Sequence, residues 1–116
     1  MIERFQKGPR MSQAVKAGNM IFLAGQVPDD FEADLETQTR QVLAKIDGLL
    51  AAAGANKSHI VSATVYLAHI TDFNGMNAVY DRWIDPENPP ARACVEARLA
   101  HPGIRVEIVC VAALPQ

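Results

Sequence analysis

The sequence predicts one α+β domain, a mixed sheet with two helices packed on one of its faces. Three observations carry that expectation. Residues 34–54 and 71–85 repeat apolar side chains at helical spacing, while the segments around them alternate with a period of two. The strictest alternation lies in two late runs, 89–99 and 104–113, separated by Ala100-His101-Pro102-Gly103, whose Pro-Gly pair signals a turn. The 116 residues are 49% hydrophobic and hold no long Pro, Gly or charge run, enough for one core, so 1–116 reads as a single domain.

Taken in order, residues 2–5 form a short strand ending at Lys7-Gly8-Pro9. Residues 12–16 and 20–24 flank Ala17-Gly18-Asn19 and read as a hairpin closed by a Gly-Asn turn. In Gly25-Gln26-Val27-Pro28 the glycine permits either a plain turn or a close approach of the backbone to a ligand. Leu35, Val42, Leu43, Ile46, Leu49, Leu50 and Ala53 then mark a helix, with Asp34 as its N-cap and Gly54 just past its end. Val61, Ala63, Val65 and Leu67 alternate with Ser62, Thr64 and Tyr66, a strand with one apolar and one semi-polar face. Thr71 or Asp72 caps a second helix whose stripe of Phe73, Met76, Tyr80, Trp83 and Ile84 reads as core, and Asp85-Pro86 stops it.

The two late runs read as an antiparallel hairpin. Ala91, Ala93, Val95, Ala97 and Leu99 form one face of the first, and Arg92, Cys94, Glu96 and Arg98 the other. A tight turn sets Glu107 opposite Glu96, and opposed like charges are destabilising, so a bulge or longer loop intervenes or one of them faces water. The pairing brings Arg92 and Glu107 within reach of one pocket. The alternative is a solvated charged face, and whether Glu96 and Arg98 belong to a site or to the surface stays open. With both helices on one side, the other sheet face, carrying Ser62, Thr64, Tyr66 and Cys94, is left exposed and calls for a partner, most simply another copy.

Composition narrows the function. Cys94 and Cys110 lack metal-like spacing and read as free thiols, while His59, His69 and His101 show no paired ligand spacing, so no metal is expected. A net charge of −2, a pI near 5.8 and singly scattered Lys and Arg weigh against nucleic-acid binding. No apolar run approaches the roughly 18 to 20 residues that span a bilayer, and the charged opening Met1-Ile2-Glu3-Arg4 is unlike a signal peptide. The expected location is the cytoplasm, with no membrane partner.

Several segments together resemble the RidA/YjgF family of small imine deaminases. They are Gly18-Asn19-Met20-Ile21 leading to Ala24-Gly25-Gln26-Val27-Pro28, Gln38-Thr39-Arg40-Gln41-Val42-Leu43, Asp72-Phe73 with Met76-Asn77-Ala78-Val79-Tyr80, Pro90-Ala91-Arg92-Ala93-Cys94-Val95-Glu96, and Val106-Glu107-Ile108. They stand in the family's order across nearly the whole chain. Arg10-Met11-Ser12-Gln13-Ala14-Val15 and Ala55-Asn56-Lys57-Ser58 are closer to its YoaB-like branch.

The resemblance implies a chorismate-mutase-like fold that assembles as a homotrimer with pockets between subunits. It implies hydrolysis of 2-imino acids, released by pyridoxal-phosphate enzymes, to 2-oxo acids and ammonia, without a cofactor. Carried over by motif, Arg92 holds the substrate carboxylate, the Cys94 backbone contacts substrate or water, and Glu107 helps orient the attacking water. Gly25 and Asn77 shape the pocket. The residue types suit the task, because a planar guanidinium grips a carboxylate with two charge-assisted bonds and an iminium is already electrophilic. Met11 stands where typical members carry a tyrosine, so the pocket either loses a hydroxyl and changes its side-chain preference or takes the contact from Ser12. A Cys94 nucleophile paired with His101 is the weaker chemical alternative. Two other classes remain: a non-catalytic trimeric carboxylate-binding or chaperone-like protein, and, less favoured by the acidic pI, an endoribonuclease.

Overall fold

In the computed structural model, which describes residues 1–115, the N-terminal third is a three-stranded meander. Strands β1 (Ile2–Lys7), β2 (Ser12–Ala17) and β3 (Met20–Leu23) pair antiparallel in turn. Gly18 closes the predicted turn at φ 62°, a left-handed conformation that glycine adopts without strain. Helix α1 (Leu35–Ala52) starts where Asp34 caps it, its Oδ1 accepting the Thr37 N–H at 2.8 Å, and stops before Gly54 at φ 85°. Strand β4 (Ile60–Leu67), helix α2 (Phe73–Trp83), strand β5 (Ala91–Glu96) and strand β6 (Val106–Ala113) complete the chain.

The six strands lie in the order β1-β2-β3-β6-β4-β5. Both helices cover one face, as predicted: Val42, Ile46 and Leu50 of α1 and Met76 of α2 are fully buried over Ile21, Val65, Leu67 and Val106. Fully burying side chains of this kind contributes about 1.5 to 3 kcal/mol each. The other face is open, with Phe22 46% and Val95 42% exposed. No helix among the described residues is long and apolar enough to cross a membrane.

The expected hairpin between the two late runs does not form. β5 pairs with β4 in parallel, β6 pairs with β4 and β3 antiparallel, and β4 lies between the two. The reason is the path of the chain: α2 carries it back over the sheet so that β5 starts at the same end as β4, and a helical crossover of this kind joins parallel neighbours. The Pro-Gly turn is real, with the Ile104 N–H donating to His101 O at 3.0 Å, but it joins strands two places apart. The opposition of Glu96 and Glu107 never arises, because Glu107 sits opposite Tyr66.

The same correction exchanges the faces of β5. Arg92 and Cys94, in register with the buried Ala63 and Val65, face the helices. Ala91, Ala93 and Val95 share the open face with Ser62, Thr64 and Tyr66, so Cys94 is not on it. The strand ends at Glu96, short of Leu99, and the Glu96 carboxylate accepts the Ile70 N–H at 2.9 Å.

Two smaller expectations also change. Val61 is 46% exposed rather than inward, because a register shift between Ile60 and Ser62 turns it out. Asp72 precedes α2 without capping it by its side chain; its carboxylate instead takes Nε and Nη2 of Arg105 at 3.1 to 3.3 Å, and Thr71 lies in a single 3-10 turn.

Candidate functional site

Arg92 rests in a cradle built by one stripe of α2. Phe73, Asn77 and Tyr80 are spaced four and three residues apart and therefore stack on one helix face. Arg92 Nη1 donates to Asn77 Oδ1 at 2.8 Å, and the guanidinium carbon lies 4.7 Å from the Tyr80 ring centroid and 5.9 Å from that of Phe73. These partners are neutral, and Arg92 forms no ion pair among the described residues. Burial pushes the Tyr80 phenol up, only partly opposed by Arg92, so the ring stays uncharged beside the cation. Sequence reading assigned Phe73 and Tyr80 to the core. Tyr80 does lie in the core, 6% exposed, whereas Phe73 is 39% exposed at its rim, and Asn77, named above through the family resemblance, is the polar residue of this face that holds Arg92.

β5 is an edge strand, and that determines what its main chain can do. The Ala97 N–H donates to Leu67 O at 2.9 Å, and the alternation of a parallel ladder then turns the N–H and C=O of Arg92, Cys94 and Glu96 away from β4, to the free edge. Among the described residues the Cys94 N–H has no hydrogen-bond partner, and it lies two residues along the strand from Arg92. Its half-buried thiol is a poorer nucleophile, because burial pushes its pKa up despite Arg92. Cys110, deep in the core, is pushed up to about 12 by burial.

A second group gathers near the start of the loop after β3. A Cβ built on Gly25 would collide with Glu107 Oε2, so the Glu107 carboxylate occupies the space that any side chain at 25 requires. Of the two readings of Gly25, close approach is the one found, with a carboxylate as the neighbour. Met11 is 46% exposed and lines a cavity of about 590 Å³ with Gly25, Gln13, Gln26 and, from α1, Lys45; Glu107 is not among its lining residues. Gln26, 5% exposed, donates to Gln13 Oε1 at 2.9 Å and bridges to Ile108 through its backbone. Ser12 begins β2 opposite Lys7 and does not line this cavity.

The two groups do not meet within one chain. Arg92 points to the helix face, whereas Glu107, in register with Tyr66, points to the open one, and β4 separates their strands. A further cavity of about 790 Å³ at the 97–104 loop is lined by Glu96, Arg98, His69 and His101 and contains none of the clustered residues. There Glu96 is engaged by the Ile70 N–H, and the Nδ1 of His101 accepts the Gly103 N–H at 2.9 Å.

Comparison with known proteins covers the whole fold. A family model described as endoribonuclease L-PSP matches residues 1–114. A RutC family protein of Haemophilus ducreyi is 46% identical over 114 residues, covering 98% of this chain and 97% of the relative. The RutC family protein YoaB of Escherichia coli is 40% identical over 113 residues, covering 97% and 98%. A crystal structure of a YjgF family member from Neisseria meningitidis superposes with a TM-score of 0.95 at 46% identity, covering 100% of this chain and 97% of that one.

Proposed function

The chain belongs to the endoribonuclease L-PSP family, together with the RutC and YjgF proteins it matches, and from that premise we propose that it hydrolyses 2-imino acids to 2-oxo acids and ammonia. The observation that carries the reading is Arg92, a cation held by neutral groups beside the free N–H of Cys94. That pair suits a small carboxylate flanked by a polar carbon.

In the proposed reaction Arg92 grips the carboxylate and Cys94 N–H donates to the substrate or to water. Glu107 orients a water against C2 of the iminium. The water oxygen bonds to C2 as the π pair of C=N moves to nitrogen, and Glu107 takes the released proton. That proton then passes to the amine, Glu107 takes the hydroxyl proton as the C–N bond breaks and the C=O forms, ammonia leaves, and Glu107 returns its proton to solvent. Fixing the water beside an electrophilic carbon supplies much of the acceleration by proximity.

Because Arg92 and Glu107 face opposite sides of one sheet, the proposed pocket takes Arg92, Asn77 and Cys94 from one subunit and Glu107 and Gly25 from the next. Met11 and Ser12 are proposed to border it and to influence which imino-acid side chain is accepted. The apolar open face supports a homotrimer as the assembly. Light scattering at micromolar concentration should then give a mass near three chains, and a monomer would remove the shared pocket.

Ammonia release from enzymatically generated 2-iminopropanoate and bulkier imino acids, with and without the protein, tests the function. Acceleration is the expected result. Tight 2-oxo acid binding without acceleration identifies a carboxylate-binding or chaperone-like trimer instead, and cleavage of RNA in a parallel assay identifies a nuclease.

Two variants probe individual roles. Gly25→Ala drives a methyl into the Glu107 carboxylate, which can swing aside, so stability should change by less than about 1 kcal/mol. The displaced carboxylate should lower kcat about tenfold or more while 2-oxo acid affinity stays near that of the parent. Cys94→Ser leaves the backbone donor intact and should keep most of the activity; complete loss in a folded trimer restores the thiol as nucleophile.

A further inference from the structure

We propose that Tyr80 is a positioning residue, whose ring sets the plane in which the Arg92 guanidinium meets a carboxylate. The inference rests on the reading of Arg92 as the carboxylate clamp. The chain holds two half-buried arginines with opposite surroundings. Arg105 is fixed by Asp72 through Nε and Nη2, and its charge is already matched. Arg92 is fixed as well, but by a π face at 4.7 Å and an amide oxygen at 2.8 Å, neither of which carries charge.

The difference is functional in kind. An aromatic face restrains a guanidinium by attraction to its quadrupole and leaves the edge of the fork unblocked. Among the described residues the well-formed hydrogen bond of Arg92 runs from Nη1 to Asn77, and the Tyr80 hydroxyl adds only a weak polar contact, which leaves most of the fork for a ligand. Tyr80 is itself held rigid, 6% exposed and tilted against Trp83 at 5.8 Å, and Trp83 Nε1 donates to Asp47 Oδ2 at 2.9 Å. The ring that orients Arg92 is thus tied to α1 through a second aromatic. Phe73, at 5.9 Å and 39% exposed, is a looser neighbour and is not assigned the same part.

The test compares Tyr80→Phe, Tyr80→Leu and Arg92→Ala for binding of 2-oxobutanoate and of its uncharged amide. Tyr80→Phe keeps the face and should bind within about threefold of the parent, whereas Tyr80→Leu should weaken the acid about 5- to 30-fold and the amide hardly at all. The upfield ring-current shift of the Arg92 side-chain resonances should persist in the first variant and vanish in the second. Equal weakening of acid and amide by Tyr80→Leu in a folded protein, or no weakening of either, overturns the inference. Should Tyr80→Leu not fold, Tyr80 is replaced by phenylalanine carrying an increasingly fluorinated ring of similar volume; affinity for the acid that does not fall with fluorination overturns it equally. Arg92→Ala separates the two levels: if it binds the acid like the parent, the clamp reading fails, and if it alone loses the acid, only the role of Tyr80 does.

Discussion

Arg92→Ala is expected to lower imine deamination by at least about a hundredfold and to weaken 2-oxo acid binding, with the fold preserved. The guanidinium lies between α2 and the sheet edge, in contact with Asn77 and Tyr80, and it supports no other element by hydrogen bond. Its removal forfeits one hydrogen bond and the cation–π contacts with Tyr80 and Phe73, so stability should fall by about 1 to 2 kcal/mol. Arg92→Lys should restore little, because an ammonium is a point charge and presents no fork to a carboxylate. Ammonia release read beside thermal unfolding checks both halves. Parent-like activity in Arg92→Ala rejects the clamp and leaves the family membership as a statement about fold.

The largest loss of stability is expected from Gln38→Ala. Gln38 is fully buried on α1, and its amide does the work of a strand: Nε2 donates to Gly103 O at 2.9 Å and Ala33 O at 3.2 Å, while Oε1 accepts the Arg105 N–H at 2.8 Å. It thereby fastens the 97–104 loop, which brings β6 into the centre of the sheet, to the first helix. Truncation leaves a buried carbonyl and a buried N–H without partners and opens a void, at a combined cost of about 2 to 4 kcal/mol. Denaturant unfolding should show the midpoint fall accordingly. A shift under about 0.5 kcal/mol would mean that water replaces the amide, and the loop would not then depend on it. Sequence reading passed over Gln38 as a polar helix residue within a family-like segment, because nothing local distinguishes a buried glutamine from a solvated one.

Both helices, the two ends of the first, the Gly18 turn and the placing of two helices on one sheet face were legible from residues alone. The ends of the first helix are decided locally by Asp34 and Gly54, and the 3.6-residue period states which helix side chains turn inward, whereas the two-residue period separates the faces of a strand without saying which is inward. The motifs in their order identify the family without the tertiary structure. The strand neighbours were not legible. Alternation in 91–99 and 104–113 reports that each is a strand with two faces, but a period of two is the same whether the partner is β4 or β6, and whether it runs parallel or antiparallel.

That undetermined choice was the one that mattered for the site. Placing β4 between β5 and β6 makes β5 an edge, frees the Cys94 backbone, turns Arg92 toward α2 and sends Glu107 to the opposite face. The sequence by itself thus determined which segments form helices and strands, which helix faces are apolar and which family the chain joins. Tertiary structure alone decided that Arg92 is held by Tyr80 and Asn77 rather than by a carboxylate, and that Arg92 and Glu107 stand apart within one chain. The physical reason is that pairing order is fixed by α2 carrying the chain over the sheet and by Gln38 tying the last loop to α1, contacts between residues far apart in sequence that no local pattern encodes.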